Sequence, residues 1–170
     1  MRNKIIILLT LVLSACTSMP EQVKPVTPFE LSRYTGTWYE IARMPHSFEE
    51  GLSKVTATYS INDDGSVKVL NKGYDAQQNE WSSAEGKAKF VDSSDVGHLK
   101  VSFFGPFYSS YVIFDLDQQD YQYAYISGFN TDYAWLLSRT PEVDEQRIND
   151  FKQALAQRGF EVDKLILVDQ

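Results

Sequence analysis

Gly36-Thr37-Trp38-Tyr39 begins the stretch of sequence that decides the fold. Trp38 carries a large apolar side chain and has few partners before it in the chain, so strands far downstream must bury it. Much later, Arg139 follows a second aromatic strand, Tyr133–Ser138. A guanidinium on an indole face contributes about 0.5–2 kcal/mol. A contact between Arg139 and Trp38 would therefore join the first strand to the strand Tyr133–Ser138 near the end of the chain.

Short alternating segments follow the Trp38 strand along the chain. Apolar and polar residues alternate with a period of two, which is typical of strands with one buried face. Asp64-Gly65 is a strong hairpin signal between two of them. Eight strands at this spacing predict an all-β barrel or sandwich. Besides the Trp38 strand, they cover residues 55–61, 67–71, 85–90, 99–103, 108–116, 121–127 and 133–138.

One helix is predicted after the eighth strand. Asp144 is a candidate N-cap, and Gly159 is a candidate stop. Phe151 and Leu155 fall on one face, which we expect to pack on the outside of the sheet. A short ninth strand, Leu165–Val168, can pair beside the Trp38 strand.

Three motifs in this order resemble the sequence signatures of lipocalins: Gly36-Thr37-Trp38-Tyr39, Thr131-Asp132-Tyr133, and Arg139 before the C-terminal helix. The strings EIARMPHSFEEGLSKVTATYS, KVSFFGPFY and LLSRTP are similar to bacterial outer-membrane lipocalins of the apolipoprotein-D-like branch. The resemblance implies an eight-stranded antiparallel up-and-down barrel with one C-terminal α-helix and a short ninth strand. It also implies that Trp38 and Arg139 hold the bottom of the barrel together rather than bind ligand. The residues of the structural signature are Gly36, Trp38, Thr131, Asp132, Tyr133 and Arg139.

The first residues are typical of a lipoprotein signal peptide. A cationic start and an apolar run are followed by Leu13-Ser14-Ala15-Cys16, which resembles a bacterial lipobox. Cys16 would then be acylated after cleavage; the alternative is a buried or free thiol after ordinary cleavage. Acyl chains stabilise membrane anchoring by about 0.8 kcal/mol per buried CH₂. We therefore predict a signal peptide over 1–15, an acylated cysteine and extended Pro-containing tether over 16–28, and a barrel domain over 29–170.

Composition excludes several classes of function. Cys16 is the single cysteine, so after its acylation the chain has no thiol for a disulfide or a nucleophile. With 16 basic and 23 acidic residues, the net charge is −7, which makes nucleic acid a poor partner. His46 and His98 have no ligand-spaced carboxylate beside them, so no metal site is predicted. Without a phosphate loop or nucleophile elbow, we expect neither a cofactor nor catalysis. Glu49-Glu50 is interpreted as solvated loop charge.

The interior of an eight-stranded barrel is wide enough for one small ligand. If Trp38 and Arg139 face the closed end, the two-residue alternation along the eighth strand places Leu137, Trp135 and Tyr133 inward. The facing of residues 108–116 and 121–127 stays open, because both faces carry aromatic residues. The predicted ligand-binding residues are Ala57, Tyr59, Val69, Phe90, Val101, Phe103, Tyr108, Tyr133 and Trp135.

The resemblance implies binding of fatty acids or lysophospholipids, and storage or transport of lipids for outer-membrane maintenance under stress. It places the protein at the outer membrane through its acyl anchor, with the domain facing the periplasm. The alternative is an envelope interaction module that uses apolar loops around Phe48 and Phe107. In the first loop Met44, Phe48 and Leu52 are either exposed for such contacts or packed within the loop itself. Such loops could contact membrane or pair two protomers into a homodimer.

Overall fold

A computed structural model describes residues 17–170. Within them, nine strands form one antiparallel sheet in the order β2-β3-β4-β5-β6-β7-β8-β1-β9, and β1 also pairs with β2, which closes the sheet into a barrel. The strands are β1 (Gly36–Arg43), β2 (Leu52–Ile61), β3 (Val67–Asp75), β4 (Glu80–Phe90), β5 (His98–Phe104), β6 (Phe107–Leu116), β7 (Tyr123–Ser127), β8 (Ala134–Ser138) and β9 (Ile166–Leu167). The helices are α1 (Leu31–Tyr34) and α2 (Glu145–Ala156), with 3₁₀ turns at Ser47–Glu49 and Val162–Lys164.

The topology is up-and-down, because each of the strands β1 to β8 pairs with the next one along the chain and β8 returns to β1. The predicted fold is therefore confirmed: an eight-stranded barrel, one C-terminal helix and a ninth strand. The ninth strand is shorter than predicted, and it pairs with Ala42 and Arg43 of β1.

Trp38 fills the closed end of the barrel. Its side chain is fully buried, and its indole Nε1 donates a hydrogen bond of 2.8 Å to the carbonyl of Tyr34. The guanidinium carbon of Arg139 lies 3.8 Å from the centre of the Trp38 ring. The contact predicted from sequence is present, and it joins β1 to the chain that leaves β8.

Arg139 also ties together the backbone around Trp38. At Gly36 the backbone has φ +96°, a conformation that favours glycine, and an added Cβ would lie 3.4 Å from the Arg139 guanidinium. All three nitrogens of the guanidinium donate hydrogen bonds to backbone carbonyls. These belong to Arg33 (2.7 Å), Thr35 (3.0 Å), Thr37 (3.1 Å) and Tyr121 (3.3 Å).

Helix α2 packs on the outer face of the barrel, as its apolar stripe predicted. Asp144 caps it by accepting a hydrogen bond of 2.8 Å from the Arg147 backbone N–H. Phe151 and Leu155 are fully buried against the sheet. Their cluster includes Val112, Phe114, Tyr125, Ala134 and Leu136 from β6, β7 and β8. Within residues 17–170, no helix has the length and apolar content to span a membrane.

The facing of β6 and β7, left open by the sequence, is resolved. Tyr111 and Ile113 lie in the inner cluster. A register shift between Ile113 and Asp115 then restarts the alternation, so that Leu116 also faces inward. On β7, Ala124 and Ile126 face inward.

Residues 17–28, predicted as part of an extended tether, instead lie along the outside of the barrel. Val23 is buried in the outer cluster. Val26 pairs through its backbone with Ile113 (2.9 Å) and with Gly97 (2.9 Å). The two apolar valines explain the difference, because a segment that buries Val23 and half-buries Val26 against the barrel cannot remain free in solvent.

We expect Arg139→Ala to lower the free energy of unfolding by about 2–4 kcal/mol, because it removes the indole contact and leaves part-buried carbonyls without a donor. Arg139→Lys should recover only part of this, since one ammonium cannot reach four carbonyls on two sides of an indole. Urea denaturation of both variants measures the difference. Unchanged stability of Arg139→Ala would show that the closed end is held by apolar packing alone.

Candidate functional site

The barrel encloses a cavity of about 470 Å³, a size typical of small-molecule sites. Trp38 and α1 close one end. The other end opens between the loops that follow β1, β3, β5 and β7. The lining is mainly apolar and aromatic, and besides the predicted residues it includes Phe29, Tyr34, Leu99, Tyr111, Ile126 and Leu137.

The structure brings together most of the residues predicted to bind ligand. Those that line the cavity are Ala57, Tyr59, Val69, Val101, Phe103, Tyr108, Tyr133 and Trp135. Phe90 differs: it does not line the cavity, and its ring packs 6.1 Å from that of Phe29 near the closed end. Phe90 is the last residue of β4, and Leu99, which lies opposite it on β5, lines the cavity instead.

The sequence signatures separate to opposite ends of the barrel. Gly36, Trp38 and Arg139 lie at the closed end. Thr131, Asp132 and Tyr133 lie in the β7–β8 loop at the mouth, where the Gly128 backbone N–H donates to the Tyr133 carbonyl at 2.9 Å. Tyr133 therefore belongs both to a signature and to the cavity lining.

The loop after β1 folds over the mouth and carries a buried carboxylate. Glu49 ends the 3₁₀ turn Ser47–Glu49, and only 9% of it is exposed. Its Oε2 accepts a hydrogen bond of 3.1 Å from the Trp135 indole, and it lies 2.9 Å from Nε2 of His46. Glu49 is thus a lining residue of the cavity rather than a solvated charge, which corrects the interpretation for Glu49, whereas Glu50 is exposed as expected.

A second carboxylate lies beneath it. Glu40 faces inward on β1 and accepts a hydrogen bond of 2.9 Å from the Arg43 guanidinium, which also donates to the Glu49 carbonyl at 2.7 Å. Burial, with the nearby charge of Glu49, raises the pKa of Glu40 well above its usual value despite Arg43. Burial acts in the same direction on Glu49, but His46, Trp135 and Arg43 outweigh it and lower the pKa of Glu49. The two shifts are opposite in direction, so Glu49 is the more acidic carboxyl of the pair.

Sequence reasoning missed this group of charges at the mouth. A signal existed for Glu40, because the period of two that places Trp38 inward also places Glu40 inward. No such signal existed for Glu49. Its burial depends on how the 3₁₀ turn packs against Trp135 of β8, and no local pattern specifies that contact.

Aromatic side chains project from the rim of the mouth. Phe48, Phe104 and Phe107 are 71%, 74% and 77% exposed. Met44 is not exposed with Phe48 but is buried in the outer cluster. The rim is therefore apolar but is formed by phenylalanines from two loops.

The described part of the chain offers little to a metal ion. Among residues 17–170, no group of three or more His, Cys, Asp and Glu side chains is placed to hold one. His46 and His98 lie at different positions in the barrel, with His98 Nε2 3.3 Å from the Ser110 hydroxyl. Cys16 lies outside the described residues.

We expect Glu40→Gln to stabilise the protein increasingly as the pH rises. A carboxyl whose pKa is raised by folding contributes fully below its unfolded pKa of about 4.3 and loses that contribution as the pH rises toward its folded pKa. The loss is about 1.4 kcal/mol for each pH unit that separates the folded pKa from the unfolded one. Glutamine keeps the shape without this loss. Urea denaturation between pH 5 and pH 8 compares the two proteins.

Glu49→Gln is the matched control, because its pKa is lowered in the folded state. Its loss of stability should be present at neutral pH and disappear as the pH falls through the folded pKa of Glu49. If Glu40→Gln were less stable than the parent protein at pH 8, Glu40 would be the charged partner of Arg43 after all.

The chain matches a known family and several characterised relatives. The sequence model of the lipocalin-like domain matches residues 29–170. The outer membrane lipoprotein Blc of Vibrio cholerae is 54% identical over 170 residues, covering 100% of this chain and 99% of that protein. The Escherichia coli K12 protein of the same name is 47% identical, covering 92% and 89%. Apolipoprotein D of Macaca fascicularis is 32% identical, covering 93% and 84%.

Solved structures show the same fold at low identity. Insecticyanin from the tobacco hornworm Manduca sexta superposes with a TM-score of 0.70 at 20% identity, covering 90% of this chain and 87% of that chain. The cockroach allergen Per a 4 gives 0.68 at 22% identity, covering 91% and 96%. The closed up-and-down barrel is the fold that the family model implies. The chain therefore belongs to the lipocalin family.

Proposed function

We propose that the protein is a non-enzymatic carrier that binds one amphiphile with an acyl chain, a fatty acid or a lysophospholipid, and stores or transports it for maintenance of the outer membrane under stress. The observation that carries this proposal is the open, apolar cavity of about 470 Å³. An acyl chain buried there is stabilised by about 25 cal/mol per Å² of apolar surface removed from water.

The polar end of the ligand belongs at the mouth. Water reaches that end, and the polar side chains of Glu40, His46 and Glu49 line the cavity there. A head group left deep in the apolar part would lose its hydration without compensation. The acyl chain therefore extends toward the closed end.

An N-terminal acyl anchor on Cys16 would hold the protein at the outer membrane, after removal of a signal peptide over residues 1–15. Two features support this: the lipobox-like Leu13-Ser14-Ala15-Cys16, and relatives that are named outer membrane lipoproteins. We place the domain on the periplasmic side.

The anchor would also turn the mouth toward the membrane. Ser18 lies beside the mouth, where its hydroxyl is 3.5 Å from the Phe129 carbonyl of the β7–β8 loop. The chain then runs along the barrel to Phe29, whose N–H donates to the Asp95 carbonyl at the closed end (2.8 Å). Because Cys16 is only two residues before Ser18, its acyl chains would enter the bilayer close to the rim.

The exposed rim fits the same orientation. Phe48, Phe104 and Phe107 project where the bilayer would be, so a lipid could pass between membrane and cavity with little exposure to water. The alternative function, an interaction module that uses these loops with an unoccupied barrel, predicts a protein partner instead. Mass spectrometry of organic extracts separates the two: reproducible co-purified lipid supports the carrier, and an empty barrel with a tightly bound protein supports the module.

We expect Val69→Phe to weaken fatty-acid binding by about tenfold or more, because the added ring occupies cavity volume that the acyl chain needs. Leu70→Phe is the matched control, since Leu70 is the next residue of β3 and its side chain does not line the cavity. Displacement of a fluorescent fatty acid, with quenching of Trp135 emission, measures both. Equal affinity of the two variants would place the ligand outside the barrel.

A fluorophore on Phe107→Cys should report a lipid environment in the acylated protein on phosphatidylethanolamine–phosphatidylglycerol vesicles. The same fluorophore on Asp63→Cys, in the β2–β3 turn at the closed end, should report water. Quenching by spin-labelled lipids gives the readout, and the Cys16→Ala background should abolish it. Stronger quenching at position 63 would reverse the proposed orientation.

A further inference from the structure

Three tyrosine hydroxyls form a chain at the inner end of the cavity. The Tyr111 hydroxyl lies 2.7 Å from that of Tyr34 and 2.8 Å from that of Tyr59. All three side chains line the cavity. We call them the tyrosine triad.

The aromatic rings hold the triad at the floor. The Tyr34 ring lies 4.8 Å from that of Trp38 and 5.3 Å from that of Tyr59, and the Tyr59 ring lies 6.1 Å from that of Tyr111. Trp38 is itself fixed by Arg139 at the closed end. The hydroxyls are therefore preorganised rather than free to turn toward solvent.

The hydrogen-bond count leaves one donor unused. Each hydroxyl has a single proton, and the triad makes two hydrogen bonds. If Tyr111 accepts from both neighbours, its own proton is free; if it donates to one neighbour, the proton of that neighbour is free. Within residues 17–170, the three hydroxyls make no other hydrogen bond. An unpaired donor in an apolar site is unfavourable, so it favours binding of any acceptor that reaches it.

The protons also stay on the hydroxyls at neutral pH. Burial raises the pKa of Tyr34, Tyr59 and Tyr111 well above the usual value. The triad therefore offers a hydrogen-bond donor and no charge. A neutral acceptor suits it better than a carboxylate, because a carboxylate buried there would lose its hydration and would be repelled by Glu40 and Glu49, whose charges already act on Tyr59.

We propose that the tyrosine triad is a second polar subsite, which takes a neutral hydrogen-bond acceptor, a hydroxyl or ether oxygen, on the far end of the acyl chain. The cavity then selects amphiphiles that are polar at both ends. This inference rests on the proposed function, since it places the head group at the mouth and the chain along the barrel. On β1 the distance from Arg43 at the mouth to Trp38 at the floor is about 17 Å for five residues of strand.

The test compares saturated fatty acids of graded length with the same acids carrying a hydroxyl on the terminal carbon. The protein is the full chain with Cys16→Ala, and displacement of a fluorescent fatty acid measures affinity. A terminal hydroxyl without a partner should weaken binding by about tenfold or more. With the triad, the hydroxy acid of best-fitting length should bind at least as tightly as the plain acid, and up to about tenfold more tightly.

Substitutions then identify the donor. The triple variant Tyr34→Phe/Tyr59→Phe/Tyr111→Phe removes every triad proton, so it should bind the plain acid and discriminate against the hydroxy acid. Tyr34→Phe alone is the matched control, because Tyr59 and Tyr111 still leave one donor unused and the preference should persist.

A terminal methoxy group tests the same point without any triad variant. The methoxy oxygen accepts a hydrogen bond and donates none. If the triad donates to it, the Cys16→Ala protein should not show the loss of affinity, about tenfold or more, that is expected for a polar end without a partner. If plain acids bind while hydroxy and methoxy acids are rejected by tenfold or more, the subsite is overturned and the carrier function stands. If no fatty acid binds, the proposed function itself fails. A preference that survives in the triple variant would assign the donor to another group and overturn the proposal.

Discussion

The contact between the Arg139 guanidinium and the Trp38 indole determines where the barrel ends and where the cavity can lie. The indole closes the barrel from inside, and the guanidinium covers it from outside at 3.8 Å while binding four backbone carbonyls. Those carbonyls come from the chain before β1, from β1 itself and from the β6–β7 loop. One side chain thereby fixes three segments that are distant in sequence. With the floor so fixed, the opposite end can stay open without loss of the fold.

Polar groups in the interior are separated by depth, and their chemistry differs accordingly. At the mouth, the buried polar groups all have hydrogen-bond partners: Arg43 donates to the Glu40 side chain and to the Glu49 carbonyl, and Trp135 donates to the Glu49 carboxylate. At the floor, the tyrosine triad provides neutral hydroxyls that remain protonated. Between them the lining is mainly apolar. A ligand that matches this order has a polar head, an apolar chain and, in our proposal, a neutral acceptor at its end.

The sequence predicted those parts of the molecule that follow from a fixed period. Parity along β8 placed Trp135 and Leu137 inward, and both line the cavity. Prediction failed where the period is interrupted or where burial depends on a distant element. Register shifts in β1 and β6 change which residues face inward, and Glu49 is buried only because Trp135 donates to it from β8. Phe90 follows the inward pattern but packs against Phe29 near the closed end instead of lining the cavity. The alternation along a strand predicts which face a residue occupies, and it does not predict the position of that residue along the barrel axis.

The N-terminal segment shows how one buried and one half-buried valine attach to the barrel a segment that the sequence predicted to be free. Proline and polar residues in 17–28 indicated a free tether, and a free tether would let the barrel take any orientation at a membrane. Instead Val23 and Val26 attach the segment to the barrel, so its path fixes the point where the chain reaches the mouth beside Phe129. In the orientation we propose, an anchor on Cys16, two residues before Ser18, would join the bilayer near that point. The burial that removes Val23 from water would then also direct the cavity toward the lipid.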